Sequence, residues 1–503
     1  MALLQTHDGI AHSGSGPDSI ESPSASSRQA FAAPTGANLL PVMPSAGTRA
    51  EPYVKVAVVL AAAAVLAWTV GSSDFWRFHQ LPTQTAMGLV FWLVVVSYGG
   101  VVFGSMIWRL GLWRRYRPIP GAEDADLPSV TVVIPAFNEG ALVGHSIRSA
   151  AASRYPADRL EIIVIDDGST DDTWRHIRAA VLELSETVNI RAHRQTKNLG
   201  KRAALYHGFK RAAGEVLVTI DSDSVLAGDA LRNAVTPLVR DPEIGCVAGC
   251  VQVMNPRQSV ITRFLKCYFS MSFKFVRAYQ SEFRSVFCTP GALSVYRANV
   301  VRKIADEWLH QEFLGRPCAT GEDRSMTNLF LREGWLTAYQ GNAVVWSKVP
   351  HTYGGMVNMF LRWARSNIRE TIVLWRFMFT DFRSRFVTAF RLNMAIVLLS
   401  LIMPPLLIAH STALVVASDG FVLRYLGLML IHAMIMCVVY YRNERDSDGV
   451  WLLVYSFFWI TCLSWILPYA AVTLRNTKWL TRGQARQAAA QPGGKLRPVP
   501  AKA

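Results

Sequence analysis

The chain has 503 residues, a formal net charge of +16 and a hydrophobic share of 51%. That length exceeds what one hydrophobic core usually organises, so more than one structural unit is expected. The charge does not argue for nucleic acid, because many of the arginines and lysines stand beside long apolar runs or in the C-terminal tail, where membrane topology accounts for them.

Residues 1–50 are rich in Ser, Ala, Pro and Gly without an amphipathic period, the composition of a disordered leader. They lack the charged and short apolar regions of a secretory signal. The first long apolar run is Val54–Val70 and the second is Ala86–Trp108, each near the ~20 residues that a helix needs to cross hydrocarbon. Residues 51–117 are therefore expected to hold two transmembrane helices. Arg109, Arg114, Arg115 and Arg117 mark the cytoplasmic side, which puts the following domain in the cytosol and the Ser72–Thr85 loop outside.

Residues 125–350 alternate strand and helix patterns. Ser129–Phe137, Leu160–Ser169 and Glu215–Ser224 are near-continuous apolar runs that read as parallel strands buried on both faces. In such sheets ligands bind at the carboxyl ends of the strands. Asp166 and Asp167 stand at the end of the second run, where Asp-Gly-Ser is also a common turn. Asp221 and Asp223 end the third as a D-x-D, whose carboxylates can share a divalent cation with a diphosphate; hard oxygen ligands suit Mg²⁺ or Mn²⁺. Between them, Asn198-Leu199-Gly200-Lys201-Arg202 opens a helix with backbone N–H groups and two cations, either a diphosphate site or a basic helix end on the surface. Cys246 and Cys250, four apart in an apolar run, are expected in a core, not on zinc; the seven cysteines form no paired C-x-x-C framework.

Two stretches, Gln258–Phe283 and Tyr353–Phe379, interleave aromatic and basic residues. Basic amphipathic helices of this kind lie in the membrane interface. Stacking on single-stranded nucleic acid is the other reading, disfavoured by the two apolar spans upstream. Between these stretches, Glu322, Asp323 and Arg324 precede a helical pattern. A first helical turn favours carboxylates, so the triplet alone also reads as a plain helix start. From residue 386 to 474 the apolar character returns as a transmembrane bundle. Phe386–Ser418 carries Pro404 and Pro405, while Phe421–Tyr441 and Val450–Leu474 each suit one crossing. Three crossings would leave the basic tail, residues 475–503, outside, whereas its cations argue for inside, so the number of crossings stays open.

The ordered set Pro135-Ala136-Phe137-Asn138-Glu139, Asp166-Asp167-Gly168-Ser169, Asn198-x-Gly200-Lys201-Arg202, Asp221-x-Asp223, Gly321-Glu322-Asp323-Arg324 and Arg362-Trp363 resembles the membrane-embedded processive family 2 glycosyltransferases. Within that family it looks most like hyaluronan synthases and the rhizobial chitin-oligosaccharide synthase. The resemblance implies an α/β GT-A (Rossmann-like) cytosolic domain inserted between transmembrane α-helices, with amphipathic interfacial helices over residues 351–385. It implies that Asp166 contacts uracil, with Asp167, Asn138 and Glu139 in the nucleotide pocket. Lys201, Arg202 and Arg362 would meet the diphosphate, and Asp221 and Asp223 would hold its metal. Asp323 would be the general base, flanked by Glu322 and Arg324, with Trp363 stacking on the acceptor sugar and Cys288 lining its site. The family's Gln-x-x-Arg-Trp element is altered here, because Met359 stands at the Gln position and Phe360 beside it.

The implied activity is processive, inverting polymerisation of UDP-sugars into a hyaluronan- or chitin-like β-linked chain that is exported. The donor would be UDP-N-acetylglucosamine, with or without UDP-glucuronate. The setting is a multi-pass protein of the inner (plasma) membrane with membrane lipid, donor and growing polysaccharide as partners and no nucleic acid. A transferase adding one sugar to a lipid carrier and a non-catalytic nucleotide sensor are the competing functions.

Overall fold

The computed structural model describes residues 19–21, 40–41, 43, 50–71, 86–400 and 421–476. Helices α1 (Glu51–Gly71) and α2 (Ala86–Arg115) lead into a nine-stranded mixed sheet. Its strands are β1 (Ser19–Glu21), β2 (Val130–Ala136), β3 (Leu160–Asp166), β4 (Asn189–Arg194), β5 (Val216–Thr219), β6 (Ser224–Leu226), β7 (Ile244–Val253), β8 (Ser294–Arg297) and β11 (Leu336–Ser347), in the spatial order β1-β4-β3-β2-β5-β8-β7-β11-β6. A separate ribbon pairs β9 (Glu312–Phe313) with β10 (Arg316–Pro317). The three apolar runs become β2, β3 and β5, which lie side by side in the order β3-β2-β5 and parallel. Every residue of the three strands is buried.

Alternation sorts their side chains between two cores. Val132, Ile134, Ile162 and Val164 pack with Val143 and Ile147 of α3 (Leu142–Ala151) and with Ile177 and Val181 of α4 (Thr173–Leu184). Val133, Ile163, Ile165 and Leu217 meet the opposite layer: α5 (Lys201–Arg211), α9 (Ala298–Leu309) and α10 (Glu322–Arg332). Each such aliphatic side chain contributes roughly 1.5–3 kcal/mol on full burial. Helices α6 (Ala230–Arg240), α7 (Val260–Ser270) and α8 (Ala278–Glu282) lie between these in sequence. Cys246 and Cys250 are fully buried on β7.

After the sheet come α11 (Tyr353–Trp375), α12 (described over Val387–Ser400), α13 (Phe421–Glu444), α14 (Trp451–Phe458) and α15 (Ile466–Val472). Among the described residues, Glu51–Gly71 and Ser447–Val472 are long and apolar enough to cross a membrane. Helix α2 exposes Leu89, Val90, Leu93, Val94, Phe103 and Ile107. The Ser72–Thr85 loop, Pro404-Pro405, the basic tail beyond Asn476 and most of the leader lie outside the described residues.

The stretch Gln258–Phe283 is not one continuous α-helix. It is α7, a π-helical segment over Met271–Arg277, and α8. Its cations do not point away from the protein. Arg263 pairs with Glu51 of α1 at 2.8 Å, Lys266 with Asp446 at 2.8 Å, and Lys274 with Glu444 of α13 at 2.6 Å. The basic face is thus matched by carboxylates distant in sequence, and it ties the sheet domain to the apolar helices.

Candidate active site

Strand ends and two helix starts converge on one cleft of about 1500 Å³. Asp167, just past β3, accepts N–H bonds from Leu199 and Gly200 at 2.8 Å each, so its carboxylate shapes the turn that opens α5. Gly200 sits there at φ 94°, a left-handed conformation that favours glycine. Burial pushes Asp167 up to about 6 despite those two donors. Asn138, at φ 52°, accepts from Thr170 N–H at 2.9 Å, and Glu139 accepts from the Ser222 hydroxyl at 3.1 Å. Both line the cleft.

Lys201 is the hub. Its Nζ lies 2.6 Å from Asp221 Oδ1 and 2.8 Å from Glu322 Oε1, joining the end of β5 to the start of α10. Burial works against its charge, yet Asp221 and Glu322 together hold the ammonium above its usual range. Gly291 packs against this bridge: a Cβ there would lie 2.5 Å from Lys201 Nζ and 3.3 Å from Asp221. Asp223 is driven up to about 7, first by burial and then by Asp221. A buried carboxylate beside a second one is a donor that a divalent cation would ionise, so the pair fits a metal held jointly with substrate oxygens. Among the described residues no group of three or more His, Cys, Asp or Glu side chains forms a metal cluster, so such an ion would draw its other ligands from the substrate and solvent.

At the start of α10, Gly321 takes φ 75° and the chain turns Glu322 and Asp323 toward Lys201. Burial opposes ionisation of Glu322, but Lys201 holds it down to about 2. Asp323 moves the other way, raised by burial and by Glu322 against the pull of Lys201. Its Oδ1 accepts the Arg324 N–H at 2.7 Å, and the Cys288 thiol lies 3.6 Å from Oδ2. Burial and then Asp323 push that thiol up to about 12, so Cys288 stays protonated and donates. The Arg324 guanidinium turns from Asp323 to Thr371 Oγ1, 3.1 Å, and to the ring of Phe287. Across the cleft, Trp363 stacks on Tyr268 with ring centroids 6.2 Å apart and touches Phe269 and Phe360. Met359, where the resemblance leads one to expect Gln, is buried and lines the same wall with Arg362.

Two expected nucleotide contacts sit elsewhere. Arg202, 5% exposed, lies over Trp308 and donates to Gln311 Oε1 at 3.1 Å, outside the cleft lining. Successive helical residues diverge by about 100°, so Lys201 and Arg202 do not both face the cleft. Asp166 is fully buried, accepting from Ser169 N–H at 3.1 Å and facing Arg194 Nε at 3.2 Å; the carboxylate that reaches the cleft is Asp167. Sequence reasoning also missed Arg277, Tyr268 and Gly291 as lining residues. Arg277 ends the π-helical segment and lines the cleft, and such a segment, which alters the helical phase, is not announced by residue spacing.

Residues 128–366 match the family model described as glycosyltransferase like family 2. The N-acetylglucosaminyltransferase of Rhizobium sp. (strain N33) is 30% identical over 378 residues, covering 73% of this chain and 80% of the relative. The chain belongs to the family 2 glycosyltransferases. An N-acetylglucosaminyltransferase of Rhizobium meliloti (strain 1021) is likewise 30% identical over 397 residues, covering 76% of this glycosyltransferase and 89% of the relative. In fold the glycosyltransferase is similar to the mannosyltransferase PcManGT from Pyrobaculum calidifontis, solved in complex with GDP-Man and Mn2+, with a TM-score of 0.51 and 21% identity over 73% of this chain and 96% of that one. Its sheet domain is thus a GT-A-like α/β unit.

Proposed function

We propose that this glycosyltransferase transfers N-acetylglucosamine from its UDP donor, with inversion, onto the end of a growing β-linked chain, and that it does so repeatedly. The observation that carries the reading is the continuity of the cleft. It runs from Asp167, Asp221 and Asp223, past Asp323 and Trp363, to Arg109 and Tyr279 and on to Val397 and Ser400 of α12. Its carboxylates suit a nucleotide diphosphate, and its lining on α2 and α12 borders apolar helices, which suits the path of a lengthening product. The names of the relatives support N-acetylglucosamine as the sugar.

Asp323 acts as the general base, taking the proton of the acceptor hydroxyl as its oxygen attacks the anomeric carbon from the side opposite the diphosphate. Lys201 fixes the distance between that base and the diphosphate by gripping Asp221 and Glu322 together. Trp363 offers a flat ring, backed by Tyr268 and Phe269, to the apolar face of the acceptor sugar. A Mg²⁺ or Mn²⁺ ion held by Asp221 and Asp223 would neutralise charge on the departing UDP. In this reading residues 51–117 and 386–474 span the inner membrane around a cytosolic catalytic domain, residues 125–350, and α2 and α12, which line the cleft through Arg109, Val397 and Ser400, flank the exit. An exported polymer needs both the aromatic seat and the path, whereas single addition to a lipid carrier needs neither.

Purified protein given UDP-N-acetylglucosamine, alone and with UDP-glucuronate, should release UDP and build a product that grows beyond one addition. Digestion by chitinase or by hyaluronidase then identifies the polymer. Absence of UDP release with every UDP-sugar, or a product of one added sugar, would overturn the proposal.

A further inference from the structure

Helix α11 carries Arg362 and Trp363 into the cleft and, two turns later, Arg369 and Glu370 into the protein interior. Glu370 is 0% and Arg369 3% exposed, a burial that charged side chains reach only when they are held. Glu370 accepts from Arg369 Nε at 3.0 Å, from Asn328 Nδ2 at 3.0 Å and from Gln311 Nε2 at 3.2 Å, while its backbone oxygen takes Asn328 Nδ2 at 2.8 Å. Arg369 Nη2 donates to the carbonyl of Thr320. Thr320 and Asn328 bracket the first turn of α10, the turn that presents Glu322 and Asp323. Gly321 lets the chain pass against α11, since a Cβ there would fall 2.5 Å from Ser366 Cβ and 2.9 Å from Arg369 Nη2. Gln311 adds a further link, accepting from Ser325 Oγ at 2.6 Å.

None of Arg369, Glu370, Asn328 and Gln311 lines the cleft. From outside the lining they bind the helix that carries the base to the helix that carries the acceptor seat. Apolar residues of similar volume would commonly stabilise the fold as well as a buried ion pair does. What such residues lack is direction: the guanidinium fork reaches Glu370 and Thr320 at once, which fixes one register of α10 on α11.

We propose that Arg369 and Glu370 are positioning residues that hold Asp323 in register with the sugar on Trp363, and so decide whether a bound donor is passed to a sugar hydroxyl or to water. The proposal rests on the glycosyltransferase reading above. In transfer, the acceptor oxygen bonds to the anomeric carbon, the bond to the diphosphate oxygen breaks, UDP leaves with the electron pair, and the hydroxyl proton goes to Asp323. In hydrolysis, the oxygen of water bonds to the anomeric carbon instead, the same bond to the diphosphate breaks, UDP leaves with the electron pair, the water proton goes to Asp323 and free sugar results. Water needs no seat on Trp363, so a shift of α10 against α11 penalises transfer alone; a misplacement of about 1 Å can cost on the order of 10²-fold.

The test uses the full chain in detergent or membranes, with total UDP release, free sugar and polymer-bound sugar measured side by side. Arg369→Lys keeps the charge and loses the fork. It should leave UDP affinity within about twofold, lower transfer by about 10- to 100-fold and raise the ratio of hydrolysis to transfer by at least about tenfold. Should this variant fail to accumulate, the apolar pair Arg369→Met with Glu370→Leu, which removes both members of the ion pair together, carries the same expectation. A ratio unchanged from the native enzyme in the folded variant, with transfer and hydrolysis falling together, overturns the positioning role and leaves the glycosyltransferase reading intact. A native enzyme that releases no UDP from any UDP-sugar overturns that reading and this proposal with it.

Discussion

Glu322 and Asp323 are adjacent carboxylates with opposite fates, and Lys201 is the reason. The ammonium lies 2.8 Å from Glu322, whereas Asp323 faces burial and its ionised neighbour. Glu322 is held near 2 in the fold against 4.5 for a free carboxyl. Its folded value is depressed, so the stability it adds is fully present above 4.5 and is lost as pH falls toward 2. Glu322→Gln should therefore cost about 1–3 kcal/mol at neutral pH, read by denaturant unfolding, and flatten stability against pH across that acid window. The same substitution removes a charge that raises Asp323, so the acid limb of kcat should move to lower pH; a limb that stays put would mean that Glu322 does not tune the base. At Asp221 and Asp223, EDTA should abolish turnover and Mg²⁺ or Mn²⁺ restore it, while Asp223→Ala should not be rescued. Full activity after exhaustive removal of divalent ions would contradict the metal role. Side-chain identity made much of this legible: the D-x-D, Lys201 and the Glu-Asp-Arg triplet all meet at the cleft. Arg202 and Asp166 did not follow, because adjacency in sequence says nothing about which of two neighbours a helix or strand end turns inward.

The elements that sequence described best are β2, β3 and β5, since a strand buried on both faces writes itself as an unbroken apolar run. Strand β8 escaped notice: Ser294–Arg297 is four residues long and antiparallel between β5 and β7, a pairing that only the assembled sheet defines. The partners of the cations on α7 and its π-helical continuation escaped notice for a similar reason, as Lys266 finds Asp446 and Asp448 some 180 residues later in the chain. Lys266→Met would leave both carboxylates without that partner. It should lower the thermal midpoint, with a stability loss of about 1–3 kcal/mol, and loosen α7 from the segment before α14, visible as faster hydrogen exchange there. Unchanged exchange would show that the ion pair does not dock the two elements. On α11, Trp363→Ala should lose polymer while sparing UDP binding, and Trp363→Phe should keep part of the rate because an aromatic face remains above Tyr268 and Phe269. Equal chain length and rate in the alanine variant would make Trp363 a packing residue only.

At the scale of the whole molecule, the GT-A-like sheet and the apolar helices α2 and α12 share one cleft. Composition set an α/β part apart from the apolar helices, but their junction is built from long-range ion pairs that no local pattern reveals. The proposed orientation, with the catalytic domain in the cytosol, requires that a cysteine placed at exposed Glu186 label only after inner membranes are permeabilised and that one placed at Ser73 label from outside. Labelling of the Glu186 position in intact spheroplasts would contradict that orientation. Glycosyl transfer with Asp323 as the base is tested most directly by Asp323→Asn in the folded, full-length protein, comparing turnover with UDP affinity. The amide keeps the shape and removes the basicity, so transfer should fall by about 10² to 10⁴ while UDP affinity changes little. Turnover per folded molecule close to the native value would mean that Glu322 and Asp323 merely begin a helix, and would contradict the assignment of this cleft as the site of transfer.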